Sequence, residues 1–301
     1  MESMRDIKRR ISSVENTKKI TRAMKMVAAA KLRNAQDKAE SARPFFNRTR
    51  EILEDIVKNT EETEDHPLLK APDSAKDSTL YIVVTGDRGL CGAYNSRVLK
   101  QADRSLSKNP GPIIPIGKKG YKHFLRSDQD ILTKYVNIDD YPDFWFARSI
   151  TDDILNPYME QEINEVRLIY THFDSPLNQT VYELPLLPVI PPGKRGEMKT
   201  VAEENNEGEK SEKDRQVDYL YEPSTQEVLD ELLPQYLNNI IFAALLESKA
   251  SEFGARMTAM DSATENATEM IDDLTLSYNR ARQSAITKEI NEIVSGAEAL
   301  K

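Results

Sequence analysis

Positions 7, 11, 14, 18, 21, 25, 28, 32, 35, 39, 42, 46, 49, 53 and 56 step alternately by four and three residues. This is the 3.5-residue period of a left-handed coiled coil. The occupants are mainly Ile7, Ile11, Val14, Ala28, Leu32, Ala35, Ala39, Ala42, Phe46, Leu53 and Ile56. No glycine precedes Gly86, and Pro44, the only proline before Pro67, can kink a helix without ending it. One helix over 1–60 is therefore expected, roughly 85 Å long at the standard rise per residue. A partner must cover a seam of that length.

The other end of the chain supplies one. After DYLYEPSTQE, where Ser224 and Glu227 have capping-box spacing, apolar residues continue with only Pro234, Gly254 and Gly296 as possible interruptions. A second helix over 224–300, roughly 110 Å long, is expected, bent near Pro234. Ala263, Ala267, Met270, Leu274, Tyr278, Ala281 and Ala285 step 4, 3, 4, 4, 3, 4. That run contains the 4-4-3 spacing of an 11-residue repeat, which straightens a supercoil. Small residues in both seams allow close approach, and a compact domain between the helices would return the second antiparallel to the first.

Residues 78–190 have a different texture. STLYIVVT, PIIPIG, ILTKYVNI, VRLIYTHF and TVYELPL are short β-branched and aromatic runs, separated by helical stretches such as AYNSRVLKQADRSL and FARSITDDILNPYMEQE. The alternation predicts an α/β fold on an open sheet, with Pro185 and Pro188 suited to an edge or a strand end. Residues 191–216 have almost no apolar content and read as a charged flexible insertion.

Charge adds one asymmetry to a formal net charge of −9. Residues 1–50 carry 14 Lys and Arg against 5 Asp and Glu, so this end is near +9 and the remainder near −18. A basic arm on an acidic chain points to an anionic partner: nucleic acid, a membrane surface or an acidic protein loop. No apolar run approaches the ~20 residues that cross a bilayer, and the opening MESMRDIKRR is too polar for a signal peptide. The single Cys91 fits a reducing, cytoplasmic location.

The candidate chemistry is sparse. In IVVTGDRGLCGAYNSR, Gly86, Gly89 and Gly92 follow a predicted strand and precede a predicted helix, the context of a phosphate loop. The spacing G-x-x-G-x-x-G matches neither nucleotide fingerprint, and no lysine followed by Ser or Thr is present. A tight strand-to-helix turn is the reading for this stretch, and a solvated connection for GKKG at 117–120. Cys91 has no base in its motif, and His66, His123 and His172 lie in separate segments, so neither a nucleophile nor a zinc set emerges. A nucleotide-using α/β protein and a coiled-coil nucleic-acid binder remain as alternatives.

The helix ends are more informative. Lys18 and Lys25 occupy seam positions, where charge is costly unless something acidic approaches. Near the C-terminus, Ile286, Ile290, Ile293 and Ala297 form an apolar stripe, with Lys288 and Glu289 on other faces. This segment would outrun the N-terminal helix, so its stripe calls for cover from another chain.

KKITRAMKMVAAAKL, DRGLCGAYN, DYLYEP, ESKASEFGARMTAMDSATENA and LSYNRARQSAITKEINEIVSGA occur in this order along essentially the whole chain. Together they resemble the gamma subunits of F-type ATP synthases. The resemblance implies a central stalk whose terminal helices form a long antiparallel coiled coil inside a ring of alternating alpha and beta subunits. A Rossmann-like α/β domain would sit on the membrane c-ring beside the epsilon subunit. The chain would then carry torque with no catalytic residues, cofactor or metal and no nucleic-acid partner, as a peripheral protein on the cytoplasmic face of the cell membrane. By the same resemblance, Arg256, Arg282, Gln283, Thr287 and Glu289 match contacts to the acidic catch loop of beta. Met24 and Lys25 match a coupling-sensitive segment, and Tyr219 and Tyr221 the foot that faces the c-ring and epsilon. The 191–216 insertion is longer than usual for the family.

Overall fold

A computed structural model describes residues 3–59, 66–70, 78–190 and 224–298. The first element, α1, runs unbroken from Met4 to Asn59 through Pro44. All fifteen seam positions of α1 are buried or half-buried, whereas Arg9, Lys19, Arg22 and Arg33 between them are exposed. The heptad pattern therefore describes the helix as it folds. The chain divides into two compact units, one of residues 1–28 with 256–301 and one of residues 29–255.

In the larger unit a four-stranded sheet is built from β1 (Thr79–Val84), β2 (Ile113–Ile116), β3 (Glu165–Phe173) and β4 (Gln179–Leu187), in the order β2-β1-β3-β4. β1 pairs in parallel with β2 and β3, while β4 is an antiparallel edge strand. All six residues of β1 are buried, as a central parallel strand covered on both faces must be. Its side chains alternate. Tyr81 and Val83 join Val98, Ala102 and Phe124 of the helices α2 (Tyr94–Lys108) and α3 (Lys118–Arg126). Leu80, Ile82 and Val84 join the other layer, which contains Ile150 and Ile154 of α4 (Phe144–Met159), Leu53 and Ile56 of α1, and Leu233, Leu237 and Ile241 of α5 (Thr225–Glu298). Fully buried Leu and Ile side chains such as these each contribute about 1.5–3 kcal/mol relative to exposure.

Local chemistry sets the ends. Ser224 accepts from the Glu227 amide at 3.2 Å and faces the Glu227 carboxylate at 3.4 Å, so the predicted capping box opens α5. α5 then continues through Pro234 as one helix. Asp143 caps α4 by accepting from Phe146 N at 2.8 Å. Pro185 lies in the edge strand and Pro188 just beyond it, where a missing N–H breaks no ladder.

Three expectations are corrected. ILTKYVNI is not a strand: only Ile131 and Tyr135 bridge to β2. Ile113 and Pro115 present their outer edge to this segment, and Pro115 has no N–H to give, so a continuous ladder cannot form. The GKKG turn is not simply solvated, because Gly117 and Gly120 are buried and Lys118 opens α3. A Cβ on Gly117 would stand 2.2 Å from the Thr85 carbonyl oxygen, and its φ is +97°. In the seam of α5, Met270 is 49% exposed and its neighbour Ile271 is half-buried. Through Ile271 the seam runs 260, 264, 267, 271, 274, 278, 281 and 285, an uninterrupted heptad in place of an 11-residue repeat.

One ion pair ties α1 to the segment before α4: Lys31 donates to Asp140. Burial pushes the Asp140 carboxyl up, but the Lys31 bond and charge, with Lys249 and Arg88, bring it below its ordinary 3.8. A lowered carboxyl contributes stability above its unfolded value and loses it as pH falls. Asp140→Asn is expected to flatten the stability change between about pH 5 and pH 3, read by chemical denaturation at each pH. Gly117→Ala should cost at least about 2 kcal/mol in the same measurement, from left-handed strain and the carbonyl clash.

Candidate functional site

Within the smaller unit, α1 and α5 meet through a polar layer set in a largely apolar and small-residue seam. The Thr21 and Thr264 hydroxyls are 2.8 Å apart, and Lys25 Nζ lies 2.6 Å from Asp261 Oδ1. As the α1 number rises the α5 number falls, so the helices are antiparallel. Asp261 is the acidic group that the seam lysine called for. Neither Asp261 nor Thr264 was singled out by the sequence reading. The available signal was their position opposite Lys25 and Thr21 once the antiparallel register is set. Thr264 also donates to the Met260 carbonyl at 2.7 Å, so its hydroxyl is satisfied on both sides.

The remaining candidate residues fall into separate places. Met24 and Arg256 are half-buried. Arg282, Gln283, Thr287 and Glu289 are exposed on the last turns of α5. The Thr287 hydroxyl donates to the Gln283 carbonyl at 2.9 Å, which helps hold this turn. Ile286, Ile290 and Ile293 in the same segment are 48%, 54% and 71% exposed, an apolar stripe left uncovered among the described residues. Tyr219, Tyr221 and the 191–216 insertion lie outside the described residues.

In the larger unit, the stretch from Gly86 to Asn95 is a knot of hydrogen bonds. Asn95 Oδ1 accepts from Gly86 N at 2.8 Å, and Asn95 Nδ2 donates to the buried Cys91 Sγ at 3.1 Å. Asp87 accepts from Lys118 N (2.8 Å), Asn137 N (3.1 Å) and Ile138 N (2.8 Å). The start of α3, a ready place for an anion, is thus occupied by the protein's own carboxylate. A second carboxylate, the buried Glu252 of α5, comes so close that a Cβ on Gly86 would stand 2.9 Å from its Cδ.

Further along α5, small residues let the end of β3 approach. Ser251 donates to the Thr171 carbonyl at 3.3 Å, and Gly254 packs against the Phe173 ring and Pro176. His172 of β3, 1% exposed, lies between Glu247 Oε2 and Asp174 Oδ1, each 3.0 Å from a ring nitrogen. Burial pushes the Glu247 carboxyl up, opposed by its bond to His172 and the charge of Arg43. Each of the other two histidines has its own acidic partner: His66 pairs with Asp230 and His123 with Asp103. Among the described residues no group of His, Cys, Asp and Glu forms a metal site, and no helix is long and apolar enough to cross a membrane.

An antiparallel helical pair ending in an exposed apolar stripe, with an α/β unit placed between the two helices in sequence, defines a stalk-type subunit. The family model described as ATP synthase matches residues 3–300. The chain is 51% identical over 302 residues to the ATP synthase gamma chain of Halothermothrix orenii and 45% identical over 301 residues to that of Heliobacterium modesticaldum. Each alignment covers 100% of both chains. The chain belongs to the ATP synthase gamma-chain family. Its structure superposes with a TM-score of 0.60 and 26% identity on a chain from the central stalk and c-ring of Tetrahymena thermophila mitochondrial ATP synthase, covering 81% of this chain and 99% of that one. A chain from the mitochondrial ATP synthase of Euglena gracilis shares the fold, with a TM-score of 0.63 over 99% of this chain and 94% of that one, at 20% identity.

A double-mutant cycle on Lys25 and Asp261 should give a coupling of about 0.5–1 kcal/mol that shrinks at high salt, since both side chains are partly exposed. Asp87→Ala, which removes the acceptor of three amides, two of them part-buried, should cost about 2–4 kcal/mol in the same denaturation assay.

Proposed function

We propose that the chain is the rotating central stalk of an F-type ATP synthase and carries torque between the ion-driven membrane ring and the catalytic alpha and beta subunits. The observation that carries this reading is the pair of unbroken terminal helices joined antiparallel through a register-specific polar layer. A shaft must transmit twist without slipping, and a lone helix of 56 or 74 residues would bend under load. The stalk does no bond chemistry of its own. The loop with the strongest resemblance to a phosphate site has its Gly86 amide taken by Asn95 and the neighbouring helix start taken by Asp87, which supports that part of the reading.

In this reading the divisions 1–60, 78–190, 191–216 and 224–300 are first helix, α/β foot, charged insertion and second helix. Arg256, Arg282, Gln283, Thr287 and Glu289 meet the acidic catch loop of beta, where charge-assisted hydrogen bonds from arginine form and break at set angles. Met24 and Lys25 act in coupling, Lys25 through its hold on Asp261. Tyr219 and Tyr221 face the c-ring and epsilon. The chain works as a peripheral subunit at the cytoplasmic face of the cell membrane.

In the assembled enzyme, Arg256→Ala or Gln283→Ala should lower coupled ATP hydrolysis and torque, and unchanged values in both variants would remove the catch-loop assignment. Deleting 195–214 should leave assembly intact. ATP hydrolysis by the purified chain alone, or failure to restore coupled hydrolysis to an alpha–beta assembly, would sink the stalk reading itself.

A further inference from the structure

The two helices that cover one face of the sheet are strongly basic, in a chain whose formal charge is −9. α2 carries Arg97, Lys100, Arg104 and Lys108, all exposed. α3 carries Lys118, Lys119, Lys122 and Arg126, the last three exposed. The only acid in either helix is Asp103, and it is engaged by His123 at 2.9 Å. The apolar sides of both helices are used up against the sheet by Val98, Ala102, Leu106 and Phe124, so the basic side is the one presented outward.

This surface has relief. A cleft of about 820 Å³ is lined by the cations Lys100, Arg104, Lys108 and Arg167 together with Glu183, and a second of about 510 Å³ by Lys119, Lys122 and Arg126. Asp103 borders the first and His123 the second, so their bond forms the ridge between the two. Arg167 is already held by Glu165 and Glu183, which leaves the helix cations as the groups open to a newcomer.

We infer that the α2/α3 face docks an acidic protein surface of a neighbouring subunit, whose Asp and Glu side chains enter the two clefts. Charge complementarity selects an anionic partner. A membrane surface is disfavoured because an interfacial helix needs a large apolar face beside its cations, and α2 exposes no large hydrophobic side chain and α3 only Leu125. A single-stranded nucleic acid is disfavoured because its binding uses open aromatic platforms. Tyr121 of α3 is engaged by Lys134, which lies 4.3 Å from its ring centroid.

The inference rests on the chain being a subunit of the rotary complex, and carbodiimide cross-linking of the assembled complex tests it. This reagent joins a lysine amine to a carboxylate only where the two touch. Lys100, Lys108, Lys119 or Lys122 should appear in amide links to Asp or Glu of another subunit, with the yield falling several-fold as NaCl rises from about 50 to 500 mM. The exposed-site variants K100Q/R104Q/K108Q and K119Q/K122Q should keep their helical circular dichroism, and each should lose the links of its own cleft to the neighbouring subunit. A complex that assembles while these lysines link only within their own chain would overturn the docking face. Protection of these lysines from acetylation by phosphatidylglycerol vesicles or duplex DNA, without such links, would also overturn it. A chain that does not assemble at all would overturn the stalk reading first and the inference with it.

Discussion

An apolar seam repeated every 3.5 residues along the fifty residues from Ile7 to Ile56 cannot be left in water, and no short element can cover it. That constraint organises the chain. A second helix of matching period must lie along the first, and it comes from the far end of the sequence, so everything between must fold without breaking either one. From Ile7 to Ile56 every seam position is buried or half-buried, as that demand requires. The price is a partner segment, α5, that also has to serve as a wall for the sheet.

That double duty explains the composition of α5. Where it lies against β3 it carries Ser248, Ser251 and Gly254, since bulkier side chains would hold the strand off. It also brings in Glu247 and Glu252, two buried carboxylates, to meet His172 and the Gly86 turn. The blocks ESKASEFGA and DRGLCGAYN, which carry much of the family resemblance, are largely explained by this docking. Asp87 and Glu252 give the turn the electrostatic complement that a phosphate would give in a nucleotide-binding relative of the fold.

Much of this was legible in residue order. The α1 seam, the capping box at Ser224, the edge position of Pro185 and the exposed end stripe all follow from period, spacing or the chemistry of one residue. What was not legible depended on neighbours distant in sequence. Whether Met270 or Ile271 faces the partner is a choice of one position that the pattern of α5 alone leaves balanced. ILTKYVNI has strand-like side chains, but its pairing failed for lack of one N–H on Pro115, in another segment. GKKG looked like a loop because its two glycines, needed for contact with Thr85, mask a helix start. The basic outer surface escaped notice because its cations are split between two helices and diluted by the acidic total.

The Thr21–Thr264 and Lys25–Asp261 layer has a mechanical meaning. In a seam of interchangeable alanines and isoleucines, one helix could creep along the other by a heptad, roughly 10 Å, and find similar packing. The hydroxyl pair has no equivalent one heptad away, where Val14 and Ala28 stand in place of Thr21, and the ion pair adds to it at the same level, with only Lys18 offering a second seam lysine at that spacing. They act as an indexing pin: elastic twist can pass through the pair and be recovered, whereas axial slip would have to break both contacts before any new packing could form.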